Sequence, residues 1–112
     1  MIYHICTQDS WNNSQGSPLY QAESLETEGF IHCSTASQVD RVLNTFYRDQ
    51  KDLVLLIVDP TILVSELKWE PGLDKPDELF PHIFGSINLD AIINVIDIDQ
   101  DPQGNFSYTA IE

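Results

Sequence analysis

Apolar positions along this chain change period several times, and each change marks an element. Residues 1–6 alternate around Tyr3, with Ile2 and Ile5 on either side of His4, and predict a strand. Asp9 to Pro18 is rich in Asn, Ser, Gln and Gly and reads as a loop. A short helix is expected within Leu19 to Thr27, with Ser24 as its cap and Gly29 as its C-terminal stop, followed by a strand from Phe30 to Cys33. The clearest helix runs from about Ser37 to Arg48, where Val39, Val42, Leu43 and Phe46 make one apolar stripe. Ser34, Thr35 or Ser37 could cap it.

The second half is strand-rich. Leu53 to Val58 is continuously apolar, as expected of a strand buried on both faces. Leu67 to Glu70 resembles a short strand, and the Pro-, Asp- and Gly-rich stretch from Pro71 to Pro81 predicts a flexible loop able to serve as a lid. His82 to Phe84 is strand-like. Ile92 to Ile98 and Phe106 to Ile111 alternate on either side of a turn at Asp101 to Asn105, which predicts a terminal antiparallel hairpin. The expected architecture is α+β, a single domain over residues 1–112 with one main helix.

Composition narrows the function. At 42% hydrophobic, the 112 residues can build one core, and no apolar run approaches the roughly 20 residues of a membrane span. The formal charge is −13, and Arg41, Arg48, Lys51, Lys68 and Lys75 are scattered, so direct nucleic-acid binding and an anionic membrane are not expected. Without a secretory leader pattern at its start, a cytoplasmic location is expected, and Cys6 and Cys33 are expected as free, buried thiols.

Three histidines carry the candidate chemistry. His4, His32 and His82 each lie among apolar or aromatic neighbours, in or at the start of a strand. Imidazole titrates near neutral pH and suits acid–base work, the orienting of a polar ligand, or metal ligation. The spacings match no compact metal motif, so no metal is expected. Each histidine also has an ordinary alternative as a hydrogen-bonded structural residue. Glu70 beside Trp69 is a further candidate acid–base group, and Ser34 after His32 can cap a helix or bond a ligand. No phosphate-loop glycine pattern and no nucleophile elbow are present.

The segments Ile2-Tyr3-His4-Ile5, Glu28-Gly29-Phe30-Ile31-His32-Cys33-Ser34, Leu67-Lys68-Trp69-Glu70 and Phe80-Pro81-His82-Ile83-Phe84-Gly85 resemble the "domain of unknown function 952" family of small bacterial and plant proteins. The resemblance runs over residues 2–95. It implies an ADP-ribosyltransferase-like fold, with two short, mostly antiparallel sheets forming a cleft that binds NAD. Carried over by position, His4 would contact a ribose, His32 would orient the diphosphate or nicotinamide end, and Glu70 or His82 would fill the third role. Tyr3, Ser34, Trp69 and Phe84 would be ligand contacts. The His-Gly-Thr usual in that fold is replaced by His4-Ile5-Cys6-Thr7. The expected function is therefore an enzyme acting on NAD or a related nucleotide. A non-catalytic nucleotide-binding or regulatory module and a three-histidine metal-dependent hydrolase are the alternatives.

Overall fold

The computed structural model describes residues 1–72 and 75–108. Its strands are β1 (Ile2–Thr7), β2 (Leu19–Tyr20), β3 (Ile31–His32), β4 (Leu53–Val58), β5 (Glu66–Pro71), β6 (Leu79–Phe84), β7 (Ile87–Asn88) and β8 (Ile92–Ile98). Three helices intervene, α1 (Gln8–Asn13), α2 (Glu23–Thr27) and α3 (Val39–Phe46), with a 3-10 turn at Leu89–Ala91. The strands form three antiparallel sheets rather than two: β1-β4-β8, β2-β7 and β3-β6-β5. The class is α+β, as expected. Among the described residues, no helix is long and apolar enough to cross a membrane.

β4 holds the centre because every residue from Leu53 to Val58 is apolar and buried. A strand presents successive side chains to opposite faces. Val54, Leu56 and Val58 accordingly join Ile2 and Cys6 in one core, while Leu53, Leu55 and Ile57 join Tyr3, Ile5, Val39 and Leu43 in the other. Each such aliphatic side chain contributes about 1.5–3 kcal/mol by leaving water. The register His4↔Leu56 puts His4 on the first face, and Tyr3↔Ile57 puts Tyr3 on the second.

Local structure departs from the sequence expectations at five places. The polar stretch after β1 starts with a helix, α1, because Thr7 accepts a hydrogen bond from the Ser10 amide at 3.0 Å. No residue of α1 is buried, so it carries no apolar stripe to announce it. The second helix begins only at Glu23, since Leu19 and Tyr20 pair with Asn88 and Ile87, and Ser24 sits inside the helix and bonds the Phe30 carbonyl instead of capping. The main helix is shorter than expected. Its cap is Gln38, whose side chain accepts from the Thr35 amide and donates to Glu78.

The stretch from Pro71 to Pro81, expected as a loop, is strand at both ends. β5 runs through Pro71 and β6 starts at Leu79, closed by the bond from the Gly72 amide to the Glu78 carbonyl. Gly72 is required here: a Cβ would lie 2.5 Å from the Phe80 ring. The expected terminal hairpin is seen as a single bridge, Gln100↔Phe106, and residues 109–111 of it lie outside the described residues.

Sheet β3-β6-β5 meets sheet β1-β4-β8 at one seam. Tyr3 and Ser34 exchange both backbone hydrogen bonds, at 2.8 and 2.7 Å. A cavity opens on the Tyr3 side of this seam.

Candidate active site

The register of the second sheet assembles the site. His32 pairs with His82 across β3 and β6, and His82 pairs with Lys68 across β6 and β5. Residues directly opposite in a ladder share a face. His32, His82 and Lys68 therefore form a row across three strands. The two imidazole centroids are 5.3 Å apart, and the rings meet at 77°.

Each of these imidazoles has its own carboxylate. His82 Nδ1 donates to Glu70 Oε1 at 2.8 Å. His32 Nε2 lies 3.1 Å from both oxygens of Glu28. The His82 side chain is 8% exposed against 46% for His32, while Glu70 and Glu28 are similarly exposed, so the two dyads differ in the ring and not in the carboxylate. With Nδ1 committed to Glu70, His82 Nε2 has no hydrogen-bond partner among the described residues. Every buried side-chain nitrogen and oxygen among the described residues has a partner, so the open Nε2 is the accessible edge of a mostly buried ring.

The cavity has a volume of about 820 Å³, within the usual few hundred to one thousand for a small-molecule site. His32, His82, Glu28 and Glu70 supply its polar wall. Phe30 and Phe80 come from the same sheet, Tyr3 and Ile5 from β1, and Val42, Phe46 and Tyr47 from α3 and the residue after it. Phe30 stacks on His82 at 4.3 Å and meets His32 at 4.8 Å. Gly29, at φ +90°, turns the chain from α2 so that Glu28 and Phe30 both reach this wall. No Lys or Arg is among the lining residues. The nearby cations are Arg41, over Phe80 at 5.8 Å and paired with Glu78, and Lys68, over Phe84 at 5.0 Å.

Of the expected site residues, the structure brings together His32, His82, Glu70, Tyr3 and Ser34 at this cavity. Phe84 shares the face, 5.3 Å from Phe30, but lies beyond the lining. Trp69, paired with Pro81, points to the opposite face of the sheet from Glu70 and is half exposed. His4 stands behind β1, away from the cavity. Its Nδ1 bonds the His32 carbonyl at 2.7 Å and its Nε2 bonds the Tyr20 hydroxyl at 3.0 Å. Burial lowers its pKa to about 4, with the nearby His32 adding to the effect. The three imidazoles do not converge, which removes the geometric basis of a three-histidine metal site. No group of three His, Cys, Asp or Glu side chains among the described residues is placed to hold a metal. Burial likewise raises the Cys33 thiol far above its ordinary range and pushes Cys6 up to about 11, so neither is a ready nucleophile.

Glu28, Phe30 and Phe80 were not among the expected site residues. The two phenylalanines had a signal, since Phe30-Ile31-His32 and Phe80-Pro81-His82 repeat one Phe-x-His pattern. On a strand that spacing puts the aromatic ring on the histidine's face. The contributions of α3 had none, because they depend on how the helix packs.

Fold and site together define a small antiparallel α+β domain with a carboxylate-backed histidine pair in an aromatic cavity. The chain belongs to the family described as "Protein of unknown function (DUF952)", whose model matches residues 5–95. It is similar to the protein CC0527 from Caulobacter crescentus. The crystal structure of that protein superposes with a TM-score of 0.83 at 27% identity, over 95% of this chain and 92% of the other. Its solution NMR structure gives a TM-score of 0.79 at 28% identity, over 93% and 89%. No curated protein matches the chain.

Proposed function

We propose that this chain is an enzyme that takes a nucleotide of the NAD type into the cavity and acts on it with His32 and His82 as its proton-transfer groups. One observation carries the reading: two imidazoles, each held by its own carboxylate, face one another on adjacent strands at the cavity wall. A carboxylate on one ring nitrogen fixes the tautomer and leaves the other nitrogen as a base. His82 Nε2 is so placed. In an ADP-ribosyl transfer it would take the proton of the attacking hydroxyl while the bond from ribose C1′ to the nicotinamide nitrogen breaks and a new C1′–O bond forms. Glu70, 2.8 Å from the ring, would stabilise both the imidazolium and the positive charge developing on the ribose. Phe30, Phe80 and Tyr47 offer faces on which a heteroaromatic ring can stack. Arg41, over the lining Phe80, and Lys68, over Phe84, would supply the positive charge for a diphosphate.

Binding without turnover is the second reading. What favours it is Phe30, stacked on His82 and covering the ring that would act. Calorimetry with NAD and with ADP-ribose at modest salt, followed by chromatographic detection of free nicotinamide, separates the two. Heat with both ligands and nicotinamide release that His82→Ala abolishes are the expected results. Heat without release selects the binding module, and no heat for either ligand at millimolar concentration sinks both readings.

A further inference from the structure

We infer that His4 is a positioning residue for His32, acting through the His32 backbone from the far side of the seam between the sheets. The inference rests on the reading of His32 as a working group. β3 is only two residues long, so its own ladder with β6 is a weak hold on a side chain that must keep its place. On its other edge, β1 supplies one backbone bridge, Tyr3↔Ser34, two residues beyond His32. The His32 carbonyl is instead taken by a side chain, His4 Nδ1 at 2.7 Å.

The chemistry of that bond fixes the rest. A carbonyl can only accept, so His4 Nδ1 carries the proton and Nε2 presents a lone pair. The Tyr20 hydroxyl donates to that lone pair at 3.0 Å, and Ser10 Oγ lies within reach of the same hydroxyl at 3.4 Å. Ser10, Tyr20 and His4 thus form a chain, buried at its middle, that runs from α1 and β2 through β1 and ends on the backbone of His32. His4 is 6% exposed and Tyr20 1%, so water does not compete for the bond between them. A polar side chain with both nitrogens matched in such a setting restricts the ring to one orientation. It thereby holds the β3 backbone at the height that sets His32 opposite His82. Displacements of about 1 Å in a catalytic group can cost on the order of a hundredfold in rate.

Histidine ring spectra of the native chain test this, because they need no ligand. His4→Phe keeps the ring volume and removes both hydrogen bonds, while His4→Asn returns a donor to the His32 carbonyl. The expected result is that His4→Phe moves the ring nitrogen signals of His32, and that His4→Asn restores them toward native positions. Nicotinamide release should fall in kcat by on the order of tenfold to a hundredfold in His4→Phe, with KM nearly unchanged, and recover in His4→Asn. If His4→Phe does not fold, Tyr20→Phe carries the test, and the His32 signals must move in it by a smaller amount. Unmoved His32 signals in the folded variants overturn the proposal. Spectra that respond as expected, in a protein that releases no nicotinamide, overturn the enzymatic reading and leave the positioning of His32 standing.

Discussion

His4 and His82 are equally buried, at 6% exposure each, and stand in opposite chemical situations. Behind β1, His4 has both ring nitrogens bonded, one to a carbonyl and one to a hydroxyl. At the cavity wall, His82 has one nitrogen bonded to Glu70 and the other open. Burial alone therefore says little about what a histidine does. The number of satisfied ring nitrogens separates a group that holds structure from one that can exchange protons with a ligand.

The sharpest way to break this comparison is truncation. His4→Ala leaves the buried Tyr20 hydroxyl and the part-buried His32 carbonyl without their partner and opens a void. A loss of about 3–5 kcal/mol is expected in urea unfolding. His82→Ala removes one bond at an open cavity and should cost about 1–2 kcal/mol. Equal losses for the two would erase the distinction.

Acid adds a second contrast. The folded pKa of His4, about 4, lies below its ordinary value of 6.5, so the unfolded chain takes up that proton first as pH falls. The contribution is fully present above pH 6.5 and is lost as pH drops toward 4, amounting to about 3 kcal/mol. Unfolding free energies measured across this window should fall less steeply in His4→Asn than in the native chain. Parallel slopes would contradict the burial of a neutral His4.

The smallest effect belongs to the open dyad. Glu28 and His32 are both more than two-fifths exposed, so Glu28→Gln should change stability by less than about 1 kcal/mol. Nicotinamide release should fall more in Glu70→Gln than in Glu28→Gln, because Glu70 fixes the buried His82 ring while Glu28 bonds an exposed one. A larger fall in Glu28→Gln would transfer the leading role to His32.

Strand parity explains how far the site was legible in the sequence. The central strand from Leu53 to Val58 could be read from the sequence, since a six-residue apolar run stopped by Asp59-Pro60 has the length and bounds of a strand buried on both faces. The same period-2 rule separates Tyr3 from His4 and Trp69 from Glu70, because neighbours on a strand cannot share a face. Of each pair, the structure sets Tyr3 and Glu70 at the cavity. Parity could not say which face of each strand would border a cavity. That depends on the pairing of His32 with His82, fifty residues apart, and on α3 packing over the far side. Glu28 reaches His32 across the turn at Gly29, a contact that follows from a left-handed backbone rather than from any spacing rule. Helix α1 was hidden for a simpler reason: its exposed, polar surface lacks the periodicity by which helices are found.

The most direct measurement is a titration of the native chain with ADP-ribose, followed through the ring nitrogen signals of its three histidines. His4 should show a neutral ring protonated at Nδ1, with signals unmoved by ligand, while those of His82 and His32 shift in a saturable way. Signals of His4 that move as far as those of His82, or signals of His82 and His32 that stay fixed at millimolar ligand, would contradict it.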